Sequence, residues 1–213
     1  MGRHGLAHAY GHVSLRLDEG SFLVTPACPL GNVSVVEPGV VVSLQGELPS
    51  TALPEVRIHR EIYRERPAIG GVVRVQSPAV VALSALNRTP RALHGLGTYF
   101  APSAPLWPSV ALVRDDESAR QVVAMMGDAA AIVLAGNGEV TAGETLQEAA
   151  SLAFFLEDAA RIELALLPTA EAGHRPREYS AEEVSRRAIK AGGLYERMWQ
   201  FLCFGDPEWE AAQ

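Results

Sequence analysis

The side chains that could do chemistry in this chain fall in short, separated stretches. Glu55 follows Leu53-Pro54 where a helical pattern begins, and His59 comes one turn later, so the two face the same side. A carboxylate and an imidazole so placed could exchange protons with a bound molecule. His12-Val-Ser14-Leu-Arg16 alternates polar and apolar residues, and with Thr25 it offers groups that could hold a carboxylate or a hydroxyl. Arg74-Val-Gln76-Ser-Pro closes an apolar run, and Asn137 stands between Gly136 and Gly138. Plainer readings stand beside these: Glu55 as a carboxylate that suits the positive end of a helix, His59 as a packed core imidazole, Arg16 as a solvated surface charge. Cys28 could be a nucleophile or a soft metal ligand, but Cys28 and Cys203 lie far apart in no paired motif and read as reduced thiols of a cytosolic protein.

These groups need a scaffold. His12 to Leu17 and Phe22 to Thr25 read as a β-hairpin around Asp18-Glu-Gly-Ser, and Thr25-Pro26-Ala-Cys28-Pro29 reads as a loop. Residues 33–36 and 40–44 read as strands. The helix opened by Glu55 stops before Arg66-Pro67. A strand over 71–76 and a helix over 78–86 follow, then strand-like pieces near 98–100 and 110–113, a helix over 117–126 and strands over 130–134 and 140–143. Thr145 to Glu148 opens a long amphipathic helix with its apolar stripe at Leu152, Phe155, Leu156, Ala159, Ile162 and Ala165. After a polar break over 169–178, one further helix is expected from Ser180 to about Phe204.

A chain of 213 residues holds one sizeable core. A formal charge of −7 without a run of Lys or Arg speaks against nucleic acid and anionic membrane as partners. No apolar run reaches the ~20 residues of a spanning helix, and the first residues lack the apolar core of a signal peptide. A cytoplasmic location is the expectation.

Several motifs together resemble the class II aldolase/adducin family: Gly11-His12-Val13-Ser14, Phe22-Leu-Val-Thr25-Pro26, Glu55 with His59 and Tyr63, Arg66-Pro67, Arg74-Val-Gln76-Ser77-Pro78 and Gly136-Asn137-Gly138. They occur in family order between Gly11 and about Leu167. The resemblance implies an α/β fold of three layers, α/β/α, about a mainly antiparallel sheet. It implies a family domain over 1–168 and a helical extension over 169–213, packed on the same domain or on a neighbouring subunit. It also implies a full helix ahead of Gly11, where about ten residues stand, so either the natural start lies upstream or most of that helix is dispensed with.

In that family three His bind a divalent metal that stabilises an enolate while a Glu moves the proton. Here the three metal positions are Arg74, Gln76 and Asn137, and Glu55 takes the place of the acid/base. The expectation is no metal and no other cofactor. Arg74 would hold a carboxylate or an enolate oxygen itself, with Gln76 and Asn137 hydrogen bonding around it, or else would pair with Glu55 or another acid and plug the cavity. His12, Ser14, Thr25, His59 and His94 complete the list of substrate-binding candidates, and His94 falls in a loop where the decarboxylase-like branch often carries His. The phosphate clamp of the sugar-phosphate branch is missing, since Leu53-Pro54 and Pro26 occupy its positions. The resemblance further implies a homotetramer with the pocket at a subunit interface, to which Tyr179, Tyr195 or Trp199 would contribute. Two functions follow: a metal-independent lyase (decarboxylase, retro-aldolase, dehydratase or isomerase) on a small hydroxy- or keto-acid, or a catalytically silent scaffold or small-acid-binding protein.

Overall fold

The alternation at His12–Arg16 and the run at Ser21–Val24 fold as antiparallel strands β1 and β2. Their turn is closed by Asp18, whose Oδ1 accepts the Gly20 N–H at 2.8 Å. In the computed structural model, which describes residues 1–211, both strands belong to a seven-stranded sheet. The others are β3 (Val40–Ser43), β4 (Gly71–Val75), β5 (Leu106–Trp107), β6 (Ala131–Leu134) and β7 (Gly138–Gly143). The order is β3-β2-β1-β4-β7-β6-β5, antiparallel at every step but β5–β6.

Successive side chains of a strand leave on opposite faces, and each face has its own core. Val72 of β4 packs with Ile58 and Ile62 of α1 (Arg57–Glu65) and Val122 of α3 (Asp116–Met126). Val73 and Val75 pack instead against Ala149 and Ala153 of α4 (Leu146–Glu171), and α2 (Pro78–Ser84) joins α4 through Val80 and Leu83. The two central strands, β4 and β7, are buried along their whole length. This is the three-layer α/β/α arrangement about a mainly antiparallel sheet.

Local rules account for the helix ends. Pro54 leads a 3-10 turn (Pro54–Val56) into α1, and Asp115 caps α3 by accepting the Ser118 N–H at 2.8 Å. Beyond α4 come α5 (Ala181–Arg187), started by a Ser180–Glu183 capping box, α6 (Leu194–Cys203) and α7 (Pro207–Ala211). Among the described residues no helix is long and apolar enough to cross a membrane.

Some expected elements are corrected. Residues 33–36 form a turn with Val35 and Val36 exposed, because Pro29 and Pro38 bracket a stretch that finds no ladder partner. The piece near Thr98 is a 3-10 turn (Leu96–Phe100), and the sheet takes Leu106–Trp107 in place of 110–113. The helix expected from Ser180 to Phe204 is two helices, broken at Gly192 and Gly193, which adopt φ of 68° and 63°. Helix α4 runs on through Pro168 to Glu171, past the expected break at Thr169.

Candidate active site

The face of the sheet that receives α1 also carries the polar residues. In the β1–β4 ladder His12 stands opposite Arg74 and Ser14 opposite Val72, so His12, Ser14 and Arg74 share the face on which Val72 meets α1. A cavity of ≈ 560 Å³ opens there, with His12, Glu55, Arg74, Gln76, Arg114 and Asn137 in its wall.

Asn137 is the hub of the Arg, Gln and Asn trio. Its Oδ1 accepts from Arg74 Nη2 and from Gln76 Nε2, each at 2.7 Å, and its backbone carbonyl accepts from Arg74 Nη2 at 3.3 Å. Gly138 makes the meeting close. It adopts φ 87°, and a Cβ there would stand 2.1 Å from the Val75 carbonyl oxygen. Arg74 is 5 % exposed. Burial pulls its pKa down, and the charges of Glu55 and Glu139 offset this; a guanidinium nevertheless stays charged. Among the described residues it has no ion-pair partner, and only its Nη2 is hydrogen bonded.

Glu55 does not plug the cavity by pairing with Arg74. Its Oε1 accepts from Arg114 Nε at 3.0 Å, the carboxylate being 15 % exposed and the guanidinium 59 %. An ion pair so open to water is weak, about 0–1 kcal/mol, and a bound acid could displace it.

Beneath the wall runs a chain of buried polar groups. His12 Nδ1 lies 2.7 Å from His59 Nε2, His59 Nδ1 lies 2.6 Å from Ser14 Oγ, and Ser14 Oγ lies 2.9 Å from the Tyr63 hydroxyl. Burial, and then the charge of Arg74, push the His12 pKa down to about 3. His59 is held well below its ordinary value by burial, then by His12 and Arg74. Both rings are neutral at pH 7. Arg16 is no solvated charge: its Nε donates to the Ile69 carbonyl and its Nη2 to the Tyr63 carbonyl, both at 2.7 Å, with the guanidinium over the Tyr63 ring.

The structure thus brings Glu55, Arg74, Gln76, Asn137 and His12 together at one cavity and separates the other candidates from it. Ser14 and His59 lie under the wall, occupied with each other. The Thr25 hydroxyl accepts the Val13 N–H at 3.1 Å and holds the hairpin. His94 is absent from the cavity wall; its ring packs by Gly97 and senses Asp158 of α4, with both nitrogens buried and unpaired among the described residues. Tyr195 packs with Tyr99 and Phe155 in the α4 core, and Trp199 against Trp209, so neither reaches this chain's own cavity. Cys28 lines the cavity, yet its thiol donates to Glu37 Oε2 at 3.2 Å and its pKa is raised by that carboxylate, which disfavours a thiolate.

Arg114 escaped the sequence reading, because it follows an apolar stretch in a loop and meets Glu55 only through the fold. Tyr63 had a usable signal: Glu55, His59 and Tyr63 are spaced four apart, one row along a helix.

The divalent metal implied by the motifs does not fit these side chains. Arg74 has no lone pair to give and puts a fixed positive charge at the position, and Asn137 Oδ1 already accepts two hydrogen bonds. Among the described residues no cluster of three His, Cys, Asp or Glu side chains is placed to hold a metal ion.

Comparison with known proteins gives a consistent picture. The sequence profile described as Class II Aldolase and Adducin N-terminal domain matches residues 1–164. A 3,4-dihydroxyphthalate decarboxylase from Terrabacter sp. is 32 % identical over 199 residues, 85 % of this chain and 81 % of that protein. A 3-oxo-tetronate 4-phosphate decarboxylase from Escherichia coli is 32 % identical over 179 residues, 79 % of this chain and 80 % of that one. The crystal structure of YgbL from Escherichia coli superposes with a TM-score of 0.74 at 28 % identity, over 88 % of this chain and 91 % of that chain.

Proposed function

Since this chain belongs to the class II aldolase and adducin family, we propose that it is a metal-independent lyase of the decarboxylase kind, acting on a small hydroxy- or keto-acid. What carries the reading is Arg74, a buried cation at the family's metal position, tied to Asn137, which also accepts from Gln76, and with hydrogen-bonding capacity to spare. The relatives named as decarboxylases support the reaction class. Free decay of the pocket would be expected to leave small or apolar residues there, whereas all three replacements are polar and joined through Asn137.

On this reading an acid enters with a carboxylate and a carbonyl β to it, the arrangement of a 3-keto acid. The carbon–carbon bond to the carboxylate breaks, carbon dioxide leaves, and the bonding pair passes to the carbonyl, whose oxygen becomes an enolate. Arg74, itself buried, stabilises that oxygen by charge and hydrogen bond. Glu55 takes a proton from solvent at the cavity mouth and gives it to the carbon left behind. Substrate carboxylate and one proton thus become carbon dioxide and product. The cavity would lie at an interface of a homotetramer, a reading supported by Tyr10 and Leu112, apolar, exposed and in its wall, with Val110 exposed nearby.

The test is carbon dioxide release from hydroxybenzoates, dihydroxyphthalates and short 3-keto acids, in the presence of a chelator. Turnover of one of them, lost in Glu55→Gln, is the expected result. Binding without turnover across the panel would identify an acid-binding protein instead, and neither binding nor turnover a scaffold.

A further inference from the structure

The buried chain His12–His59–Ser14–Tyr63 has a direction, and Tyr63 gives it. The phenol is buried, and its pKa is pushed up to about 12, chiefly by that burial, so it keeps its proton. Its hydroxyl makes one hydrogen bond among the described residues, with Ser14 Oγ at 2.9 Å, so the phenolic proton finds an acceptor only there. The phenolic proton therefore goes to Ser14.

The remaining bonds follow in order, since each contact needs one donor and one acceptor. Ser14 gives its own proton to His59 Nδ1, which is thereby an acceptor. A neutral His59 then carries its proton on Nε2, aimed at His12 Nδ1. A neutral His12, its Nδ1 now accepting, carries its proton on Nε2. That last nitrogen makes no hydrogen bond among the described residues and is not sealed from solvent, and its side chain lines the cavity. In the opposite sense the phenolic proton would be left buried and unpaired.

We propose that neutral His12 presents its Nε2–H to the cavity as a hydrogen-bond donor beside Arg74, with its tautomer set from below by the Ser14 and Tyr63 hydroxyls. His12 and Arg74 face each other across the β1–β4 ladder, so their spare donors form one patch of the wall, at which these two side chains offer hydrogen bonds and accept none. Such a patch selects ligand oxygens with free lone pairs, carboxylate or enolate, and turns away ammonium and amide N–H groups at that point. Neutral imidazole as an electrophile is chemically sound, because it donates without surrendering its proton at rest. That the acceptor belongs to a reacting acid rests on the lyase reading; the tautomer does not.

Long-range proton–nitrogen correlation spectra of uniformly nitrogen-15-labelled protein near neutral pH test this directly. The expected result is Nε2–H on both His12 and His59. His12→Asn assigns the His12 signals, and through-bond connection to the backbone assigns them if that variant does not fold. An Nδ1–H tautomer or an imidazolium at His12 would overturn the inference and leave the lyase reading standing. Failure of every acid to turn over would sink the lyase reading and leave the tautomer untouched.

Discussion

Glu55 is bound to Arg114 at 3.0 Å, while Arg74 spends its hydrogen bonds on Asn137. The cavity therefore holds two guanidinium groups and one carboxylate, and the pair at its mouth is the more exposed. Arg114→Gln is expected to raise KM for an anionic acid roughly five-fold, the equivalent of about 1 kcal/mol, with a smaller change in kcat. Steady-state kinetics would show it; an unchanged KM would remove Arg114 from substrate capture.

Arg74 is a buried charge with no acid bonded to it among the described residues, an arrangement that costs stability and is retained where it serves function. Arg74→Met should thus lower kcat by roughly 10²–10³-fold while the thermal midpoint holds or rises. A variant that melts early and keeps its rate would mean that Arg74 is structural. Arg74→Lys should recover little, since a point charge cannot replace a planar fork.

Protein purified without a metal-affinity tag should carry no stoichiometric zinc, manganese or iron by elemental mass spectrometry, and chelation should leave its activity intact. The combined variant Arg74→His, Gln76→His and Asn137→His should bind one divalent ion, because three neutral imidazoles suit such a site. Stoichiometric metal in the unaltered protein would contradict the argument from Arg74.

Glu139 is buried on β7, and its pKa is raised to about 8 by burial, against the Ser77 hydroxyl and amide that hydrogen-bond to it. Folding raises this pKa from about 4.5, so the folded chain binds the proton more tightly than the unfolded one. Its contribution is full below pH 4.5 and is lost as pH rises toward 8, with a slope of at most about 1.4 kcal/mol per unit. Glu139→Gln should flatten that fall, which chemical denaturation across the window would measure. Parallel curves for the two proteins would refute the assignment.

How much could be read beforehand depended on the kind of signal. β1, β2, β4, β6, β7, α1 and α4 were legible because motif order and hydrophobic period agreed, and the gathering of Glu55, Arg74, Gln76 and Asn137 followed from those motifs. Residues 33–36 and 110–113 are as β-branched as true strands, and what they lack is a ladder partner, which local sequence does not encode. Glu55 and Arg114 meet across 59 positions through the packing of α1 and α3. His59 and Ser14 were legible as polar groups facing inward, but only the fold shows that they satisfy each other and so cannot serve a ligand.

Gly138 lets the backbone after Asn137 press on the carbonyl of Val75. The gap between the strand that carries Arg74 and the loop that anchors it is therefore gauged by main chain against main chain, like calipers closed on a hard stop. The seat of the guanidinium is insulated from the drift of neighbouring side chains, and it is exposed to a single added methyl group at a residue that never touches it.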